Sequence, residues 1–223
     1  METVSLLFGF IVLVASGVLI WLGRRFEQQT PAALSQLAAE RDWQFHPLGD
    51  SGLQQRLEKF ELLRKGRNRK IVNLLTEEKD DCRISVSDYH FSDLLLGTAK
   101  TKLTVVALES PRLRNPAFTL RPEFLLDKFG ERTGPSDIDF EDNVSFSRGY
   151  WLTSPEEEET RKFFHRALQD FFVQRPPGCC VEATRGTIIF YNALRRGQVN
   201  PKRNDFLRLM EEAHQLLQLT LDR

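Results

Sequence analysis

CRISVSDYHF, residues Cys82 to Phe91, is the stretch that decides the fold. Cys82, Ile84 and Val86 alternate with Arg83, Ser85 and Ser87, the period of two that belongs to a half-buried strand. One face reads as packed and the other as wet, which an antiparallel sheet allows. Similar short runs flank it: WQFHPL (43–48), RKIVNLLT (69–76), TKLTVVALES (101–110) and AFTLR (117–121). Each is rich in Val, Ile, Thr or aromatics and bounded by polar or Gly/Pro turns. Two short helices fit between them, from Gly52 to Phe60 and over PEFLLDKF (122–129).

The second half carries two longer helical patterns. Ser154 as N-cap, Pro155 in the first turn and Glu156 to Glu159 at the positive end of the dipole open the first. Its apolar stripe is Phe163, Phe164, Ala167, Leu168, Phe171 and Phe172, and Pro176-Pro177-Gly178 ends it. CCVEAT (179–184) and TIIFYNAL (187–194) then form a hairpin around Arg185-Gly186. The last helix starts from Asn200-Pro201 and aligns Phe206, Met210, Ala213 and Leu217. A single apolar stripe on each makes them sheet-packing helices. Strands followed by helices without βαβ alternation predict an α+β fold, with a mostly antiparallel sheet and two long amphipathic helices packed on it. A break at Gly130 to Ser136 would leave two lobes below the usual domain size, so one domain is expected over 43–223.

Ahead of that domain, VSLLFGFIVLVASGVLIWLG (4–23) is 20 residues without a charge. As a helix it spans roughly 30 Å, the thickness of a hydrocarbon core. A cleaved leader would carry a basic n-region, whereas Glu2 precedes the run and Arg24-Arg25 follow it. The expectation is a retained single-pass anchor over residues 1–23 in a cell membrane. The positive flank keeps residues 24–223 cytoplasmic, with the N-terminus outside and Trp21 at the inner interface. Thr30-Pro31, then Leu34, Leu37 and Ala38 at helical spacing, predict a juxtamembrane helix over 31–41 within a 24–42 segment.

The charge balance, 31 Lys+Arg against 31 Asp+Glu, gives no global pull toward nucleic acid. No GxSxG, HExxH, CxxC or phosphate-binding glycine loop occurs, so neither a cofactor nor a reaction is called for. Asp137, Asp139 and Glu141 alternate in DIDFED, and on a strand three carboxylates on one face are a weak divalent-cation candidate. The same charges also suit a sheet edge that must not pair. Asp88 and His90 continue the face of Ile84 and Val86, as an acid/base pair or a hydrogen-bonded structural one. Cys179 and Cys180 should point to opposite faces of a strand, and with Cys82 they read as reduced, structural thiols.

Arg64-Lys65-Gly66-Arg67-Asn68-Arg69-Lys70 places five basic residues in seven on an expected hairpin turn. Next to an anionic leaflet each contributes about 1 kcal/mol. Glu77, Glu78, Asp80 and Asp81 would cancel that field if they lay close. Without an aromatic stacking surface the run does not predict nucleic-acid binding.

The succession DYHF, TVVALES, PAFTLRPEFLLDK, DIDFE, FSRGYWL, an acidic helix with Arg161, and CCVEA resembles uncharacterised bacterial single-pass membrane-anchored proteins of unknown function. The resemblance covers roughly residues 35–220 and implies a shared fold and anchoring, with no activity or catalytic residue to carry over. Polar positions within it, Arg121, Glu123 and Asp139, suit a buried ionic network as well as a site. The resulting expectation is a membrane-anchored cytoplasmic binding or scaffold domain, held in the bilayer through residues 4–23 and meeting a protein partner or the lipid surface. A metal-dependent hydrolase built on Asp137, Asp139 and Glu141 is the competing one.

Overall fold

The computed structural model describes residues 31–93, 98–125, 136–175, 177–193 and 203–221. The expected spanning helix over 4–23 and its flank Arg24-Arg25 lie outside these residues, as does most of the 130–136 loop. No helix among the described residues is long and apolar enough to cross a membrane.

Eight strands form one sheet: β1 Gln44–His46, β2 Arg67–Lys79, β3 Cys82–Asp93, β4 Thr98–Glu109, β5 Phe118–Pro122, β6 Tyr150–Thr153, β7 Cys179–Thr184 and β8 Thr187–Asn192. Their order is β1-β2-β3-β4-β8-β7-β5-β6, and every neighbouring pair is antiparallel. The α+β reading with an antiparallel sheet therefore holds. The hairpin around Arg185-Gly186 is present, with Gly186 supplying the positive φ its two-residue turn requires.

Strand alternation runs through the sheet, yet the expected wet face is covered. Ile84, Val86, Val106, Leu108, Val181 and Ile188 form one core with helix α1 (31–41), α4 (Val144–Gly149), α6 (Arg166–Val173) and α7 (Arg203–Leu221). On the opposite face Tyr89, Phe91, Leu103, Val105 and Ile189 form a second core beneath α2 (Ser51–Leu57) and α3 (Glu61–Arg64). Ser85 and Ser87 are only 2% and 3% exposed. Cys179 and Cys180 go to opposite cores, as strand geometry demands.

The second cover is held by local chemistry. Asp50 caps α2 by accepting from the Gly52 and Leu53 amides. Gly49 (φ 78) crosses β2 so closely that a Cβ there would lie 2.1 Å from the Ile71 carbonyl oxygen. Beside it β2 is bulged between Val72 and Leu75, and Asn73 (φ 50) donates its amide to the Pro47 carbonyl.

Several local details go beyond or differ from the sequence expectation. Helix α1 spans 31–41 as expected, and its Leu34 and Leu37 are fully buried in the first core. The first long amphipathic helix is two short ones, α5 (Glu157–Phe163) and α6, broken at Phe164-His165. Ser154 is not its N-cap; its hydroxyl accepts from the Glu156 amide and the Thr160 hydroxyl and donates to the Ala117 carbonyl. In α7 the buried stripe is Phe206, Met210, Ala213 and Leu216, with Leu217 at its margin. Of PEFLLDKF, residues 123–125 are helical and the rest lies outside the described residues.

Candidate functional site

An antiparallel sheet has two ends, and here they differ in charge. At the end where β2 starts and β3 stops, the basic run is not a hairpin turn. Arg64 closes α3, Lys65 and Gly66 (φ 74) turn the chain, and Arg67 opens β2. Glu77, Glu78, Asp80 and Asp81 sit toward the opposite end of this 13-residue strand, seven or more residues beyond Lys70 and so ~23 Å or more from it at the rise of a β-strand. They do not cancel the basic field.

Arg64, Arg67 and Lys70 are exposed and form no ion pair among the described residues. Arg69 donates to the Leu63 carbonyl at 3.0 Å, which fixes it against the end of α3. Lys65 pairs with Glu61 at 2.7 Å, and Glu61 also takes Arg121 at 2.6 Å. Register extends the basic surface sideways: Lys70 is opposite His90 and His90 opposite Lys102, one row on one face.

One step further in, Val72, Asp88 and Thr104 form the next row. Asp88 is buried, and its carboxylate accepts from Asn73 Nδ2 at 2.9 Å and Thr104 Oγ1 at 3.1 Å. Burial pushes this carboxyl up to about 6, against the opposing pull of the Asn73 and Thr104 hydrogen bonds and the Lys102 charge. A folded-state value above the unfolded 3.8 means that the native state binds the proton more tightly. The associated stability is full below pH 3.8 and is lost as pH rises through about 6. Asp88→Asn, which keeps the shape and can satisfy both neighbours once Asn73 rotates, should flatten that slope. Between pH 4 and 7 it should gain on the order of 2 kcal/mol relative to the native chain in urea unfolding. Parallel pH profiles for the two proteins would refute this account.

Asp137, Asp139 and Glu141 do not lie on a strand. The segment 136–140 runs irregularly beside edge strand β6, with Ile138 donating to the Leu152 carbonyl and Asp137 Oδ1 accepting from the Leu152 amide at 2.9 Å. Asp137 thus covers a free edge position. Desolvation first, and the Asp139 and Glu123 charges next, push the carboxyl of this exposed residue up to about 6 against the Leu152 hydrogen bond. No cluster of three His, Cys, Asp or Glu side chains able to hold a metal exists among the described residues. Calorimetric titration with millimolar Mg²⁺, Ca²⁺ or Mn²⁺ should accordingly show no saturable heat; a 1:1 isotherm abolished by Asp137→Asn would restore the cation reading.

The far end of the sheet holds an open groove of about 630 Å³, lined by the β2–β3 turn, the end of β4 and the β7–β8 turn. Glu78, Asp80, Asp81 and Glu109 outnumber Lys79 and Arg83 on its walls. Arg83 reaches Glu78 at 2.6 Å, and Arg56 pairs with Glu109 at 2.8 Å. Cys82 donates to the Ser110 hydroxyl at 3.3 Å. Cys179 is a buried thiol pushed up to about 12 by desolvation, the state of an inert structural cysteine. Sequence reading missed this groove because three turns distant in the chain build it.

No protein-family model matches the chain, and no curated protein matches it. Among solved structures it is similar to the mycobacterial trehalose monomycolate transport factor A, TtfA. The similarity covers 85% of this chain and 94% of that one, with a TM-score of 0.54 and 12% identity. At that identity the likeness is one of fold.

Proposed function

We propose that this protein is a membrane-anchored cytoplasmic domain that works by binding, as a scaffold or accessory factor for a protein partner, and performs no catalysis of its own. The observation that carries the reading is the junction between anchor and domain. Only residues 24–30 separate the uncharged run 4–23 from α1, whose Leu34, Leu37 and Ala38 are buried in the main core. Seven linking residues reach at most ~25 Å, so an anchor at 4–23 keeps the domain against the bilayer surface. The solved protein that shares this fold is described as a transport factor, which is consistent with an accessory role. The open groove at the acidic end is a concave surface a partner could occupy.

The test is in-cell crosslinking followed by detergent solubilisation of the full chain and mass spectrometry of what is retained. A stoichiometric partner lost on Asp80→Asn/Asp81→Asn supports binding at the groove; both positions have positive φ, which asparagine tolerates. A preparation free of any stoichiometric protein overturns the scaffold reading.

A further inference from the structure

We infer that the basic end of the sheet is a contact surface for anionic lipid headgroups, so that the domain stands on the inner leaflet with its strands upright and its groove facing away. The inference rests on the anchored reading above and adds to it an orientation and a ligand chemistry. Arg64, Arg67 and Lys70 project into solvent without an ion pair among the described residues, and Arg69 is held beside them by the Leu63 carbonyl. The nearby acids are Glu58, which is exposed, and Glu61, which is occupied by Lys65 and Arg121. With Arg121 counted beside Arg64, Lys65, Arg67, Arg69 and Lys70, and Asp93 at the end of β3 counted beside Glu58 and Glu61, six cations against three carboxylates leave the surface positive.

For an upright domain the choice of end is exclusive. With β2 ~40 Å long and a Debye length of ~8 Å in physiological salt, an upright domain brings only one end within reach of the leaflet's charge, and a domain lying flat would bring the acidic end to it as well. The opposite end presents Glu78, Asp80 and Asp81, which an anionic surface repels. The tether removes the cost of bringing the domain to the membrane, so the patch needs only to bias its tilt. A flexible cluster of Lys and Arg beside lipid phosphates makes charge-assisted contacts that require no preformed pocket.

Two lysines on one strand read the orientation directly. Lys70 and Lys79 are both exposed, nine residues apart on β2, and so ~30 Å apart. The full chain is placed in nanodiscs of neutral phosphatidylcholine, or of phosphatidylcholine with about 30% phosphatidylglycerol, and amine acylation at each lysine is timed by mass spectrometry. The expected result is roughly fivefold slower acylation of Lys70 in the anionic discs, with Lys79 unchanged. The shielding should vanish in about 0.5 M salt and in Arg64→Gln/Arg67→Gln. An equal Lys70 to Lys79 rate ratio in both discs overturns the inference, as does shielding of Lys79 instead. Equal shielding of Lys70 in neutral discs also overturns it, because a protein contact and not lipid charge would then cover the patch. A chain that fails to co-purify with either disc refutes the anchor itself, a separate failure that removes the inference with it.

Discussion

Glu182→Ala is expected to lower the unfolding free energy by about 3 kcal/mol, or roughly 6–12 °C in thermal midpoint. Glu182 lies in the middle of β7, 5% exposed, and faces the second core. Its carboxylate accepts from the Glu61 amide at 2.6 Å, the Leu62 amide at 3.1 Å and the Tyr191 hydroxyl at 3.2 Å. Phe60, at the N-cap of α3, has no side chain able to do this, so a carboxylate from the sheet caps the helix. Removing it strands two amides and a phenol beneath Leu62 and Leu63, each at a cost of about 1–3 kcal/mol. Part of that is offset because the charge is itself costly to bury: desolvation raises the Glu182 carboxyl above its usual range, opposed by the Leu62 hydrogen bond. Glu182→Gln keeps an acceptor for the amides and offers a donor to the Tyr191 oxygen, so its loss should be about 1 kcal/mol. Urea unfolding of the detergent-solubilised chain, followed by near-ultraviolet circular dichroism, measures both. If glutamine costs as much as alanine, the carboxylate is not acting as the cap.

This cap explains why the covered second face was not legible in the sequence. α2 and α3 are 7 and 4 residues long, too short for a helical period to appear, and α3 depends on a residue more than a hundred positions away. The alternation of β3 was legible because it is a property of the strand alone; that Ser85 and Ser87 are buried is a property of what lies above them. The hairpin at Arg185-Gly186 and the opposite placement of Cys179 and Cys180 were legible for the same local reason. DIDFED has the alternation of a strand, with Ile138 buried between two exposed carboxylates, yet Asp137 bonds the β6 edge through its side chain and no ladder forms. Local pattern gave that segment its buried face; only the position of Leu152 decides what the carboxylate does. The basic run was legible as charge, while its separation from the acidic turn follows from the length of β2.

Phe164→Ala should have an effect as large, about 4 kcal/mol, because it removes the centre of an aromatic cluster. The Phe164 ring is fully buried, set edge-on to Phe118 at 4.9 Å, with Phe146 at 5.7 Å and Phe172 at 6.1 Å. It reaches that position only because the helix stops there: Phe164 leaves the helical region at ψ 58, and Gln169 Nε2 donates to its freed carbonyl at 2.6 Å. In a continuous helix Phe163 and Phe164 would lie about 100° apart on one stripe, which is how the sequence pattern reads. The break instead buries Phe164 and leaves Phe163 half-buried at the core margin. Phe163→Ala should therefore cost only about 1 kcal/mol, and Phe164→Leu about 1–2 kcal/mol, since leucine refills most of the volume. The ordering is the test. Equal losses for the two alanine variants would mean that both rings share the load as in one uninterrupted helix, and the break between α5 and α6 would not stand.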